Sequence, residues 1–354
     1  MDGLLILVQV LLGAMGVLGL ATSEPVLAMP QVIRVLLGLV ITFVIARMPA
    51  RTVVKLSPYA YLGVLFLLIL TLFIGVSPEG SSSRRWLAIG GFTLQPSELM
   101  KVTVIAYLAG FFYNHLGDWQ IWRPMLVLGL AAGAIIAEPD VSTALFVFLL
   151  AFVIMIAAGT TLVRLISIST TAALIAVIFA GPYLSQYSYI GERLGGYLDF
   201  RGERIDSRGS SYQALQAQRT LLRAGIVGVG PGRPIYVPEA DTDMIVISIG
   251  HALGLLGIAT LFSLYFVIAA KGVNIASRVE GPSALLAIGA TIYICLQAGL
   301  NLLVASGLVP VTGIPLPFVS YGFNSLISVS IAMGFLHSAS RELKLADAQQ
   351  GVAV

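Results

Sequence analysis

Three carboxylates at the start of an apolar run are the residues of this chain best suited to chemistry. Glu239, Asp241 and Asp243 lie in the stretch VPEADTD, and the apolar sequence MIVISIGHALGLLG follows directly. Neighbouring carboxylates repel one another, so the pKa of one rises as a general base requires, or the group binds a divalent cation. The alternative is structural: Asp243 or Thr242 caps the next helix by accepting hydrogen bonds from its free N–H groups.

A second charged group leads into another apolar run. The stretch RRWLAIGGFTLQPSELMK extends from Arg84 to Lys101. Pro96 and Ser97 mark a helix start, and Glu98 suits its first turn. Lys101 lies one turn deeper, where an ionisable side chain is a functional candidate with Glu98 or a carboxylate of another helix as its partner. A purely structural ion pair is the alternative.

Two further segments stand out between apolar runs. Residues 138–143, EPDVST, have the composition of a tight turn, which accounts for their proline and aspartate. Residues 310–322, PVTGIPLPFVSYG, contain three prolines. This pattern predicts irregular backbone that enters the membrane and lines a cavity within the protein.

The segment 185–242 is long for a connection in a compact domain, and such loops are usually functional or disordered. Within it, residues 211–226 have the pattern of an amphipathic helix lying at the membrane interface. The seven cations of the whole segment 185–242 are all arginine, whose planar fork binds phosphate through two hydrogen bonds. They are Arg193, Arg201, Arg204, Arg208, Arg219, Arg223 and Arg233. Pairing with the loop's own acids and with lipid headgroups is the alternative.

Composition places the whole chain in a membrane. Hydrophobic residues make up 58% of its 354 residues and charged residues 10%, with a mean hydropathy of +0.95. Soluble domains carry about 25% charged residues. Ten apolar runs predict transmembrane helices, because lipid offers no partners to open backbone groups. The runs are 3–22, 31–48, 57–76, 95–114, 124–137, 141–158, 162–184, 243–270, 283–306 and 319–340.

The placement of lysine and arginine predicts that both termini are cytoplasmic. With the N-terminus inside, the short outer loops hold only Arg84 and Arg85. The inner loops and the C-terminal tail hold Arg47, Arg51, Lys55, Arg123, Arg164, Lys271, Arg278, Arg341 and Lys344. Most acids fall outside or at outer helix ends, which indicates that the chemistry takes place on the outer face.

Two glycine patterns have structural interpretations. Gly228, Gly230 and Gly232 form G-x-G-x-G. The dinucleotide-binding fingerprint G-x-G-x-x-G needs a glycine at position 233, where this chain has arginine, so the pattern fails. The pair of glycines at 250 and 254 predicts close packing of one helix against another.

The motifs together resemble the SEDS family of FtsW, RodA and SpoVE. RRWLAIGGFTLQPSELMK, EPDVSTA, YQALQ, GVGPG, PEADTD and GLVPVTGIPLPFVSYG occur in the family's order across nearly the whole chain. The resemblance implies an all-α polytopic membrane protein with ten transmembrane helices, both termini cytoplasmic, and a large extracytoplasmic loop before helix eight. It implies one integral domain over 1–354 with extracytoplasmic loops at 77–94 and 185–242. YQALQ, GVGPG and PEAD look nearer to FtsW than to RodA.

The resemblance also implies a function. SEDS proteins polymerise lipid II into glycan strands on the outer face of the bacterial cytoplasmic membrane, during division or elongation. They work with a class B penicillin-binding protein that crosslinks the strands, among other membrane proteins of the division or elongation machinery. No organic cofactor and no nucleic acid is implied.

Site residues carry over from the family motifs. Asp243 matches the family's essential aspartate and is expected to be the catalytic base. Substrate-binding or supporting roles are expected for Arg85, Glu98, Lys101, Asp140, Arg219, Glu239 and Ser320. A divalent cation, Mg or Mn, is expected at Glu239, Asp241 and Asp243 if the site uses a metal.

The chain departs from the family pattern at four places, one of which is a glycine-rich segment ahead of PEAD that is shorter than usual. Asp241-Thr-Asp243 stands where the family has HTD, and residues 251–254, HALG, stand where it has EELG. Residues 320–325, SYGFNS, replace SYGGSS. The extra acid at 241 favours metal binding, whereas the role of the family's span-eight glutamate is in doubt here because His251 replaces it.

Two other classes of function compete with the enzyme. A lipid II flippase would use Lys101 and the outer arginines to pass the pyrophosphate, and it could lose Asp243 and still translocate. A noncatalytic scaffold that activates a transpeptidase would need helix faces for its partner but no acidic cluster at the membrane surface.

Overall fold

The computed structural model describes residues 1–77, 84–115, 121–170 and 210–349, and it is almost entirely helical. Six helices come first: α1 Gly3–Ser23, α2 Ala28–Ala46, α3 Ala50–Ile74, α4 Pro96–Asn114, α5 Trp122–Ala137 and α6 Val141–Ala157. Helix α7 begins at residue 162 and is described as far as 170. Four helices follow: α8 Ser210–Ala224, α9 Ile245–Arg278, α10 Pro282–Ala305 and α11 Phe323–Gln349.

Nine of the ten predicted spans coincide with helices of the described residues, and the seventh coincides as far as residue 170. This confirms a polytopic all-α membrane protein. Five segments, containing α1, α2, α3, α9 and α10, are long and apolar enough to cross a bilayer, and α5 and α6 are shorter apolar helices. The remaining helix, α8, matches the predicted interfacial helix. The rest of the seventh run and the arginines at 193, 201, 204 and 208 lie outside the described residues.

Small and polar residues set the distance between the helices. A Cβ added at Gly16 of α1 would overlap the carbonyl of Val319, and one at Gly272 of α9 would overlap the Thr291 hydroxyl of α10. Between α1 and α2, Gln9 Nε2 donates to Thr42 Oγ1 at 3.0 Å. Such small residues and hydrogen bonds are what hold helices together in lipid, where burial of apolar surface gives little driving force.

The N-terminus lies against α9 and α11. The amide of Asp2 donates to His337 Nδ1 at 3.3 Å, and Lys344 Nζ donates to the carbonyl of Met1 at 3.2 Å. The Asp2 carboxylate lies 3.7 Å from Lys271 Nζ. The start of the chain and the last turns of α11 therefore share one face of the bundle, as the predicted topology requires.

A short hairpin departs from the all-helical expectation. Strands β1 Leu87–Ile89 and β2 Phe92–Leu94 pair antiparallel, and Val76 bridges to Trp86 just before them. Gly90 and Gly91 form the two-residue turn with φ values of 54° and 88°. A hairpin turn with positive φ at both positions matches the twist of its strands, and glycine adopts it without strain.

Helix α9 is interrupted at Gly254, where φ is 63° and ψ is −156°. Residues 225–230 fill the interruption and pair with the free backbone groups on both sides of it. The four hydrogen bonds run from Val229 N to His251 O at 2.9 Å, Gly230 N to Ala252 O at 3.1 Å, Leu255 N to Gly225 O at 3.0 Å and Leu256 N to Ile226 O at 3.2 Å. A broken helix is tolerated at membrane depth because protein groups satisfy its open ends.

The contact at Gly254 corrects the prediction that it serves helix packing. A Cβ there would overlap the amide of Gly228 and the carbonyl of Ile226, which belong to the segment that fills the break. A Cβ at Gly228 would likewise overlap the carbonyl of Ala252. Both glycines are needed because two stretches of backbone approach each other directly at this point.

Candidate active site

The acidic loop, residues 238–244, is a compact turn immediately before α9. Glu239 has a φ of 56°, and its carbonyl accepts from the amides of Thr242 at 3.2 Å and Met244 at 2.9 Å. The Thr242 hydroxyl donates to Glu239 Oε2 at 2.7 Å. The N-cap of α9 is Met244, without a side-chain hydrogen bond, so the prediction that Asp243 or Thr242 caps this helix is wrong. The turn directs the Thr242 side chain toward Glu239 instead.

The 310–322 segment holds the acidic loop by its backbone. Ser320 Oγ donates to the carbonyl of Thr242 at 2.7 Å and accepts from the amide of Leu316 at 2.8 Å. The amide of Tyr321 donates to the carbonyl of Asp241 at 3.0 Å. Ser320 is 4% exposed. Its predicted supporting role therefore has a clear geometry, since one hydroxyl joins two irregular segments that lie far apart in sequence.

A third hydrogen bond comes from Asn301 of α10, which sequence reasoning missed. Its Nδ2 donates to the carbonyl of Asp243 at 2.9 Å and to that of Ile314 at 2.8 Å. The side chain is 1% exposed. A buried amide within an apolar run costs free energy unless it is hydrogen-bonded. The presence of Asn301 in such a run could therefore have indicated a polar partner on another segment. Gln297, one turn earlier, donates in the same way to the carbonyl of Pro315 at 2.8 Å.

Two more contacts fix the sides of the loop. Ser248, in the first turn of α9, donates from Oγ to the carbonyl of Ala240 at 2.6 Å. Gln213 of α8 donates from Nε2 to the carbonyl of Pro238 at 3.3 Å. The YQALQ motif thus places α8 against the acidic loop. Arg219, on the same helix, is exposed.

The environment of Asp241 in the acidic loop disfavours its ionised form. Burial raises the pKa of the Asp241 carboxyl, and the negative charges of Glu239 and Glu24 raise it further, while a backbone hydrogen bond acts in the opposite direction. Burial and like charges destabilise the ionised form of a carboxylate. Asp241 therefore holds a proton more readily than a fully exposed aspartate does.

The structure does not gather the three carboxylates into a preformed group of metal ligands, and binding of a divalent cation stays a prediction. In the part of the chain that the structure describes, no group of three or more His, Cys, Asp or Glu side chains is arranged to hold a metal ion. The physical reason lies in the turn: the Glu239 carboxylate accepts from Thr242, while the backbone of Asp241 is bound to Tyr321. Hydrogen bonds from other parts of the protein hold the loop in place, and its carboxylates do not meet at a common point.

Arg85 is engaged with the turn between α5 and α6. Its Nε donates to the carbonyl of Glu138 at 3.1 Å, another guanidinium nitrogen donates to the carbonyl of Pro139, and a third lies 3.6 Å from Asp140 Oδ2. Asp140 in turn caps α6 by accepting from the amide of Thr143 at 3.2 Å. The predicted tight turn is confirmed, and Arg85 joins it to the hairpin.

Glu98 and Lys101 form a buried ion pair. Lys101 Nζ donates to Glu98 Oε1 at 2.6 Å, and the Lys101 side chain is completely buried with its ammonium 5.0 Å from the Phe146 ring centre. Ser328 of α11 donates to the second Glu98 oxygen at 3.3 Å. Glu98 is thus the partner of Lys101, as one of the two predicted alternatives requires.

Glu138 is a buried carboxyl at the turn between α5 and α6. Its side chain is 1% exposed. Burial, reinforced by the charge of Asp140, raises its pKa from 4.5 to about 8, although Thr71 and Arg85 lower it. Glu138 therefore stays protonated at neutral pH.

We expect Glu138→Gln to stabilise the protein at alkaline pH. Between pH 4.5 and about 8 the folded chain retains a proton that the unfolded chain has lost, so stability falls as pH rises through this range. The neutral amide removes this dependence. The difference in melting temperature, variant minus wild type, should increase from pH 5 to about pH 8 and remain constant at higher pH. Glu280→Gln, at an exposed position between α9 and α10, is the control; equal gains in both variants would contradict the assignment.

Comparisons with known proteins agree with this architecture. The sequence matches the FtsW/RodA/SpoVE family, described as cell cycle proteins, over residues 3–345. It is 32% identical to the probable peptidoglycan glycosyltransferase FtsW of Coxiella burnetii over 317 residues, covering 85% of this chain and 82% of that protein.

Solved structures show the same fold. One is a chain from a study of how a peptidoglycan synthase complex coordinates polymerization and crosslinking, with a TM-score of 0.78, 26% identity and coverage of 96% of this chain and 98% of that chain. Another is the Rod shape determining protein RodA of Thermus thermophilus, with a TM-score of 0.70, 24% identity and coverage of 96% and 97%. With its motifs, its helices and its sequence match all in agreement, this multi-pass membrane protein belongs to the FtsW/RodA/SpoVE family.

Proposed function

We propose that this protein is a peptidoglycan glycosyltransferase that polymerises lipid II on the outer face of the bacterial cytoplasmic membrane. One observation carries the proposal: the carbonyls of Asp241, Thr242 and Asp243 are each held by a hydrogen bond, from Tyr321, Ser320 and Asn301 respectively. The loop is thereby fixed through its backbone, in the arrangement that suits side chains used in chemistry.

Asp243 is the proposed general base. Its carboxylate accepts the proton of the acceptor sugar's 4-hydroxyl as that oxygen attacks the anomeric carbon of the donor. The new glycosidic C–O bond forms while the bond from the anomeric carbon to pyrophosphate breaks, and undecaprenyl pyrophosphate leaves. A positioned base contributes about 10²–10⁴-fold to such a step. The polyprenyl chain stays in lipid, so a base at the membrane surface is within reach of the sugar.

The proposed partner is a class B penicillin-binding protein that crosslinks the glycan strand. The structural likeness to a chain of a peptidoglycan synthase complex supports this, as that work concerns polymerization together with crosslinking. A role in division is favoured over elongation, because the curated relative at 32% identity is named FtsW. Lipid II and the growing strand are the proposed substrates, and other membrane proteins of the same machinery are further partners.

The burial of Lys101 argues against one of the two features on which the flippase alternative depends. That alternative requires Lys101 to pass a pyrophosphate, yet this side chain is fully buried and bonded to Glu98. The scaffold alternative gives no reason for a backbone-held acidic loop. We therefore rank glycosyl transfer first.

The direct test is polymerisation of lipid II by the purified chain with its cognate class B partner. Glycan strands resolved by electrophoresis are expected, and parallel reactions with Mg²⁺, Mn²⁺ or a chelator determine whether a divalent cation takes part. Transbilayer movement of lipid II without strand formation, with a partner known to be active, would favour the flippase.

Ser320→Ala should reduce polymerisation about tenfold. The change leaves the carbonyl of Thr242 and the amide of Leu316 without their partner, and a buried unsatisfied group costs about 1–3 kcal/mol. The initial rate of strand formation is the measurement. Ser306→Ala is the matched control, because that hydroxyl is exposed and bonds only to Leu303 of its own helix at 2.9 Å. Equal rates for both variants would show that the loop does not depend on Ser320.

A further inference from the structure

Arg34 is a cation within the span α2 whose position the activity described so far leaves unexplained. It lies six residues from Ala28, the first residue of α2, which places it about 9 Å along the helix. The side chain is partly exposed. Within the described residues, the ion pairs are Arg85–Asp140, Lys101–Glu98, Lys271–Asp2 and Arg278–Asp347, and none involves Arg34. A charge at such a position is costly and usually functional.

An aromatic surface orients the Arg34 guanidinium. Its central carbon lies 3.5 Å from the centre of the Tyr321 ring and 5.8 Å from that of Phe323. The Phe323 ring stacks in turn on Phe92 of the hairpin, with 6.4 Å between their centres. Stacking engages the flat face of a guanidinium, whereas its N–H donors point outward in the plane. Tyr321 also contacts the guanidinium through a side-chain hydrogen bond. Because arginine has five N–H donors, others are left to bind an anion.

Tyr321 joins Arg34 to the acidic loop. Its ring contacts the guanidinium, and its amide donates to the carbonyl of Asp241 at 3.0 Å. One turn before Arg34, the buried Gln31 donates to the carbonyls of Val319 and Ser320, each at 3.3 Å. The face of α2 that carries Arg34 is thus packed against the segment that positions the loop.

Two other cations expected to support substrate binding are engaged elsewhere. Arg85 is bonded to the turn at 138–140, and Lys101 is buried against Glu98. An anionic lipid approaching the acidic loop needs a positive charge to offset repulsion by its carboxylates. Arg34 supplies a charge of the required sign in a fork that matches phosphate geometry.

We propose that Arg34 binds a phosphate group of a membrane lipid beside the acidic loop. Two sources have this chemistry: the pyrophosphate of a polyprenyl-linked sugar, which rests on the proposed function, and the headgroup of an anionic phospholipid. Arg34 bonds to the phosphate oxygens through its N–H edge while Tyr321 covers one face.

The test measures binding of fluorescent lipid II to the purified chain in phosphatidylcholine nanodiscs, without any turnover. Arg34→Gln should raise the dissociation constant about tenfold, and Arg34→Lys should recover only part of the loss because it lacks the fork. Arg47→Gln is the matched control, since Arg47 follows the last residue of the same helix and its guanidinium lies 4.2 Å from the Phe43 ring centre. Melting temperatures check that each variant is folded.

Competitors identify the source of the phosphate. If undecaprenyl pyrophosphate displaces the probe from wild type but not from Arg34→Gln, and phosphatidylglycerol displaces it from neither, the phosphate bound by Arg34 is the substrate's pyrophosphate. Equal displacement by phosphatidylglycerol assigns a phospholipid headgroup. Unchanged affinity and competition in Arg34→Gln would overturn the proposal. Because binding is read without polymerisation, a wild-type chain that binds lipid II but makes no strands would count against the proposed function alone.

Discussion

Asp243→Asn should lower the rate of lipid II polymerisation by a factor of about 10³ while the protein remains folded. The amide cannot accept the proton of the acceptor hydroxyl, and general-base catalysis is worth about 10²–10⁴-fold. Folding should persist because the bond from Asn301 is made to the backbone carbonyl of residue 243, which the substitution leaves in place. The cap of α9 is also unaffected, since Met244 occupies that position.

The measurement is strand formation by the purified variant with its class B partner, together with its melting temperature. Asp241→Asn is the informative neighbour. It removes a charge from the same loop, and burial together with nearby carboxylates already raises the pKa of Asp241. We expect a loss of less than tenfold there. Strand formation by Asp243→Asn at the wild-type rate would show that Asp243 is not the general base. Equal losses of rate in both variants would indicate that only the total charge of the loop matters.

Lys101→Met should destabilise the protein by about 3–5 kcal/mol, because it leaves the Glu98 carboxylate buried and unpaired. Lys101 is completely buried, Glu98 is 5% exposed, and their atoms lie 2.6 Å apart. Combining Lys101→Met with Glu98→Gln should restore much of the loss, since no charge then remains in the interior. The melting temperature in detergent and the yield of folded protein are the measurements.

Lys271→Met serves as the matched control for that experiment. Lys271 also pairs with a carboxylate, Asp2 at 3.7 Å, but its side chain is 40% exposed. An exposed ion pair contributes about 0–1 kcal/mol, so this variant should melt close to wild type. If both lysine variants lost the same stability, or if the double variant were no better than Lys101→Met, burial would not be the reason for the effect.

The buried pair also has consequences for the active site. Ser328 bonds to Glu98 and, at 2.9 Å, to the carbonyl of Ser325. The Ser325 hydroxyl accepts from Gln297, which also holds Pro315. A continuous set of hydrogen bonds therefore leads from the ion pair to the 310–322 segment. We infer that Glu98 and Lys101 support the site through this segment, in keeping with their predicted supporting role.

Sequence by itself determined the class of the protein, the positions of its apolar helices and the acidic loop that we propose for catalysis. The spans followed from hydropathy, because lipid excludes any chain segment that leaves backbone groups open. The acidic loop was evident because carboxylates beside a span are costly and rare. The pairing of Glu98 with Lys101 was also predictable, since positions three apart on a helix are neighbours.

Only the tertiary structure decided how these parts act together. The N-cap of α9 is Met244 and not Asp243. Ser320, Tyr321 and Asn301, distant in sequence, hold the acidic loop by its backbone. The break at Gly254 is filled by residues 225–230, a pairing that local pattern does not encode. Hydropathy ranks residues one at a time, whereas hydrogen bonds and ring stacking depend on which distant segments meet. That is why the Tyr321 contact of Arg34 emerged only from the fold.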